Sequence, residues 1–91
     1  MSTNLQQIPQ GLIGAKPIID FIVEVGGDME PGDTDYQNLA FIFAPSVFID
    51  GLLLTYEVRT DRRYVSFNGS TQTVTINNGG VNEGENVQIF F

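Results

Sequence analysis

The chain of 91 residues contains no cysteine and no histidine, and only four basic residues, Lys16, Arg59, Arg62 and Arg63. Each absence removes a class of chemistry. Without cysteine there is no disulfide scaffold and no thiolate nucleophile, and without either residue the commonest zinc sites are gone. No side chain titrates near neutral pH unless its surroundings shift it strongly. Eleven acids against four bases give a formal net charge of −7, the wrong sign for sequence-independent binding to nucleic-acid phosphates. No stretch approaches the roughly 20 apolar residues of a membrane span. Residues 1–16 have neither the basic start nor the long apolar stretch of a secretory signal. The expectation is one soluble domain with no nucleic-acid or membrane partner. At this length the core is modest, and small domains often recover stability by oligomerising.

What is present is β-pattern. Residues 1–16 are rich in Gln, Asn, Gly and Ile and carry no charge before Lys16. They read as an extended N-terminal arm, either a frayed end or a tether that orders against a neighbouring subunit. The apolar residues Leu5, Ile8, Leu12 and Ile13 favour the tether. Residues 17–91 read as a single β-sandwich domain. "PIIDFIVEV" alternates Ile19, Phe21, Val23 and Val25 with Asp20 and Glu24, the period of two expected of a half-buried strand. "NLAFIFAP" repeats it with Leu39, Phe41 and Phe43, and "LLLTYEVR" with Leu52, Leu54, Tyr56 and Val58. "RRYVSF", "TQTVTIN" and "NVQIFF" follow, whereas "SVFIDGLLL" is broken by Gly51 and reads as a turn leading into a strand. Turn pairs such as Asp50-Gly51 and Asn68-Gly69 separate the runs and supply the positive φ of tight turns. The predicted fold is all-β, a small antiparallel β-sandwich or barrel of six to seven strands, without a helix.

Candidate sites are few. Asp28, Glu30, Asp33 and Asp35 form the densest acidic stretch, but their spacing departs from that of an EF-hand calcium loop. A solvated turn is the plainer reading, and no metal, cofactor or catalytic residue is assigned. No histidine stands by to activate a serine or threonine, and nothing marks one acid of a pair for glycoside hydrolysis. Asn68-Gly69-Ser70 matches a glycosylation sequon, yet the turn needs the same residues. Tyr36 with Asp33 and Asp35 is the one aromatic–acid group suited to a sugar ligand. Ile22, Ile42, Leu53 and Phe90 fall on the outer parity of their strands. Either a neighbouring subunit or the arm covers that second face, or a bulge shifts the parity. Arg59, Arg62 and Arg63 cluster within five positions; they read as the rim of a hairpin that also suits pairing with Glu57 or with an acid of a neighbouring subunit.

Residues 39–91 resemble a small β-module of bacteriophage virion proteins, in tail-fibre, head-fibre and capsid-decoration appendages. The order of "FIFAPSVFIDGLLLTYEVRTDRRYVSF" and "TVTINNGGVNEGENVQIFF" carries the resemblance: an aromatic strand, a turn with proline, a strand ending near a reverse turn, an aromatic-led strand, a Thr/Val-rich strand, and a Gly-acid turn into a final aromatic strand. Many such modules have an Asn-Gly turn where this chain has Arg59-Thr60-Asp61. The resemblance implies a non-enzymatic structural protein of a phage particle, assembled in the host cytoplasm. Its partners would be other virion proteins and itself, as a homo-oligomer that the fibre likeness makes a trimer. The alternative from a different class is a carbohydrate- or host-receptor-binding β-module.

Overall fold

A computed structural model describes residues 18–91 of the chain. Among them there is no helix; seven strands form two antiparallel sheets. The strands are β1 (Ile18–Ile22), β2 (Asp35–Gln37), β3 (Ser46–Ile49), β4 (Leu52–Leu53), β5 (Tyr64–Asn68), β6 (Thr73–Asn77) and β7 (Asn86–Phe90). One sheet has the order β1-β7-β3-β4 and the other β2-β6-β5. The predicted all-β sandwich is therefore the observed class. The expected arm, residues 1–16 with Leu5, Ile8, Leu12 and Ile13, lies outside the described residues.

Side chains alternate across a strand, so each sheet turns every second residue inward. In the four-stranded sheet Ile19 pairs with Ile89 and Ile89 with Val47, while Phe21 pairs with Val87 and Val87 with Ile49. The three-stranded sheet contributes the row Tyr36, Val74, Phe67 and the pair Val65–Ile76. These rows meet in one apolar core that also takes in Val23, Met29, Phe41, Leu54 and Val81 from loops and strand ends. Among the described residues no polar or charged residue is fully buried. Phe41 is the hub. Its ring lies 6.2 Å from Tyr36, 6.4 Å from Phe67 and 5.1 Å from Phe91. The last two contacts are edge-to-face, the arrangement the ring quadrupoles favour.

Two turns depend on glycine. Asp50 and Gly51 have φ of 51° and 81°, the doubly positive pair that matches the twist of a two-residue hairpin; it joins Ile49 to Leu52 in register. Gly80 has φ of 66°, and a Cβ there would sit 2.6 Å from the Asp33 carbonyl oxygen. That close approach lets the Val81 amide donate to the Asp33 carbonyl and the Gly32 amide to the Val81 carbonyl. The acidic loop is thereby clipped to the turn before β7.

Several expected strands take another form. "SVFIDGLLL" is a complete hairpin, β3 and β4, and not a turn leading into one strand. "NLAFIFAP" is a loop in which only Phe41 of the three expected inward residues is buried; Leu39 and Phe43 point to solvent. Its backbone is satisfied without a ladder, because Asn38 accepts from the Ala40 and Phe41 amides and Gln72 Nε2 donates to the Leu39 and Phe41 carbonyls. "LLLTYEVR" leaves the sheet after Leu53: Leu54 is buried, whereas Tyr56 and Val58 are exposed. The Thr55 hydroxyl accepts the Glu57 amide and bends the chain away from strand geometry. Val25 is exposed because β1 ends at Ile22, ahead of the turn at Gly26.

Candidate docking groove

The three arginines lead to different places. Arg63 immediately precedes β5, and its guanidinium forks onto Glu85: Nη1 donates to Oε1 and Nη2 to Oε2, both at 2.8 Å, with a further bond from Nη1 to the Gly80 carbonyl at 2.9 Å. The two side chains are only 24% and 15% exposed. Hydrogen bonding from Arg63 is the main force holding the Glu85 carboxyl below its ordinary value, against a smaller opposing effect of burial. The same contact raises Arg63. Glu85 Oε1 also accepts the Asn82 amide, so the pair ties the start of β5 to the loop entering β7. Arg63 thus makes its carboxylate contact within the chain.

Among the described residues the Arg62 side chain meets an acid only at its neighbour Asp61, at 3.2 Å on the surface; that hydrogen bond lowers the Asp61 carboxyl. Arg59 pairs with Glu57 at 2.9 Å, as the sequence allowed, while its buried Nε finds no hydrogen-bond partner among the described residues. The loop carrying Arg59 and Arg62 is pinned by Asn78, whose Nδ2 donates to both of their carbonyls, at 2.7 and 2.9 Å. Asn78 itself takes a left-handed φ of 69°, which asparagine tolerates better than most residues.

Pinning this loop opens a groove of about 510 Å³. Leu52, Leu53 and Leu54 line it together with Arg62, Asn78 and Asn82. Arg63 also lines it, whereas Arg59 does not. Among the described residues β4 pairs with β3 on one side only and is the sheet's edge, and both of its residues line this groove. Three consecutive leucines after a tight-turn pair were the available sequence signal. Neither Asn78 nor Glu85 was legible, since each acts on a segment far along the chain.

The sugar-type group does not assemble on one face. Tyr36 turns inward from β2, its ring 5.5 Å from Phe21. Burial, and then the charge of Asp28, raise its hydroxyl above the ordinary value. Asp35 alternates to the outer side of the same strand, where Oδ1 accepts from the Thr34 and Thr75 hydroxyls. Asp33 and Glu30 cap turns: Asp33 Oδ2 accepts the Glu30 amide and Glu30 Oε2 the Gly26 amide. Among the described residues no three acids converge as metal ligands.

The second apolar face is real for three of its four expected members. Ile22, Leu53 and Phe90 lie on the outside of the four-stranded sheet with Ile18 and Phe48. Phe48 and Phe90 pack edge-to-face at 5.4 Å. Ile42 instead sits in the 38–45 loop, exposed beside Phe43, which is 82% exposed. Asp20, the acid on that sheet face, accepts from both Asn86 and Gln88 side chains. The polar groups of the face thus satisfy one another and leave an apolar stripe across all four strands. Among the described residues no helix is long and apolar enough to cross a membrane. Set beside protein-family models, curated proteins and solved structures, the chain matches none of them.

Proposed function

We propose that this chain is a non-enzymatic structural module of a bacteriophage particle, of capsid-decoration, head-fibre or tail-appendage type, attached through residues 1–16. The observation that supports a docking role best is the outer stripe of Ile18, Phe48, Leu53 and Phe90 on the four-stranded sheet; Leu39, Ile42 and Phe43 of the 38–45 loop are exposed as well. A domain whose inner core is complete has no internal use for a second apolar surface, and contiguous patches of this kind mark interaction sites. Assignment to a virion rests on the resemblance carried by residues 39–91. The carboxylates of the acidic loop cap turns, which favours a role in contact over one in catalysis.

Co-sedimentation with assembled particles tests the reading. The full chain should travel with the particle band, and a chain lacking residues 1–16 should remain at the top of the gradient. A full chain that never enters the particle band would overturn it.

A further inference from the structure

The groove beside β4 is a free sheet edge with an apolar wall, and the 17 residues before Ile18 are a chain segment that enters the same sheet at its opposite edge. We propose that in the homo-oligomer residues 11–15 of one copy lie along β4 of the next copy, with Leu12 and Ile13 against Leu52 and Leu53. This deepens the attachment role given to residues 1–16 above and rests on that reading.

Three observations carry it. First, β4 is two residues long and among the described residues pairs only with β3, so no described strand takes up its outward backbone groups, which suit strand addition, a mode in which main-chain bonds give affinity and side-chain pockets give specificity. Second, the chemistry matches. The groove lining combines three leucines with Asn and Arg side chains, and residues 1–15 carry no charged side chain that would sit against Arg62 and Arg63. Leu12-Ile13 is the one adjacent pair of branched aliphatics in that segment, the counterpart of the Leu52-Leu53 pair.

Third, distance argues for a neighbour over the chain's own segment. In the sheet order β1-β7-β3-β4, β4 lies three strand spacings from β1, about 14–15 Å at the usual 4.7–4.9 Å per strand. From Ile13 to Ile18 an extended chain spans at most about 17–18 Å. Within one copy that length would have to cross the sheet over the protruding Phe48 and Phe90 rings and then turn parallel to β4. Between copies no such crossing is needed. Donor segment and acceptor groove are different surfaces, so the contact is head-to-tail and closes as a ring when the rotation permits.

The absence of cysteine makes the test direct. Full-length Leu12→Cys chains, carrying a tag, are mixed with untagged Leu53→Cys chains and treated with a short bismaleimide, with Thr71→Cys on the remote β5–β6 turn as the control acceptor. The tagged–untagged dimer should dominate with Leu53→Cys and be lost with Thr71→Cys. A chain carrying both Leu12→Cys and Leu53→Cys should shift from monomer to a ladder of dimers and higher species. Internally linked monomer alone would place a chain's own segment in its groove and overturn the proposal. Equal linking to Thr71→Cys, or no linking by chains whose circular dichroism is unchanged, would overturn it as well. If linking fails while the full chain still travels with particles, the attachment reading stands and only this use of the groove falls.

Discussion

Replacing Arg63 by alanine should cost more stability than any other surface substitution in the chain. The guanidinium makes three bonds of 2.8 to 2.9 Å, two to Glu85 and one to the Gly80 carbonyl. Its removal leaves a carboxylate that is 15% exposed without its cation. Hydrogen bonds to charged groups contribute about 1.5–3 kcal/mol net, and breaking a fully buried ion pair costs about 3–5 kcal/mol. Partial exposure puts Arg63→Ala near the lower range, about 2 kcal/mol. For a domain of this size that is a fall in Tm of about 8–16 °C. Arg62→Ala, which removes only an exposed pair with Asp61, should stay within about 0.5 kcal/mol of the parent. Urea denaturation followed by far-ultraviolet circular dichroism measures both. The pH dependence adds a second reading. Glu85 is held below its ordinary pKa in the folded chain, so its contribution is complete above the unfolded carboxyl value of about 4.3 and fades as pH falls through the lower folded value. Parent and Arg63→Ala curves should therefore converge in acid and separate at neutral pH. Equal stability of Arg63→Ala and Arg62→Ala at pH 7 would refute the reasoning.

Phe41→Ala should destabilise by about 3–5 kcal/mol, since the ring is fully buried and joins both sheets; the same urea titration reads it, and Phe43→Ala should be close to neutral. Gly80→Ala should lower the urea midpoint through strain, because its Cβ would meet the Asp33 carbonyl at 2.6 Å with φ at 66°. Tyr56 is exposed along much of its side chain, but its hydroxyl donates to the Pro45 carbonyl in a part-buried contact and is pushed up to about 12 by that partial burial. Absorbance of tyrosinate should rise late for this residue. Stability from the group is full below the unfolded value of about 10 and is lost as pH climbs towards 12; Tyr56→Phe should remove that alkaline loss.

The strands that pair were legible where alternation was strict and apolar. Residues 18–23, 64–68, 73–77 and 86–91 show it, and their inward sets, such as Val87, Ile89 and Phe91, face the core as read. The same alternation misled at 39–43 and 52–58. There a single anchor, Phe41 or Leu54, is buried and its neighbours are not. Amides and carbonyls that a strand would give to a ladder go to Asn38, Gln72 and Thr55 side chains, bonds that leave no periodic trace. β2 escaped notice because Asp35-Tyr36-Gln37 offers one apolar residue to a three-residue strand. The arginine cluster was visible as a cluster, but Glu85 lies 22 positions from Arg63. Only the folded register brings them together, turning a suspected docking charge into an internal clamp. The groove beside β4 was hidden for the same reason: Leu52, Leu53 and Leu54 meet Asn78 and Asn82 across two intervening strands.

Electron microscopy of particles assembled with and without this chain addresses the proposed role most directly. Particles with the chain are expected to carry additional density at a repeated position, of a size to hold the two-sheet domain, with a thin connection where residues 1–16 attach. Indistinguishable particles, with the chain left free in solution, would contradict it.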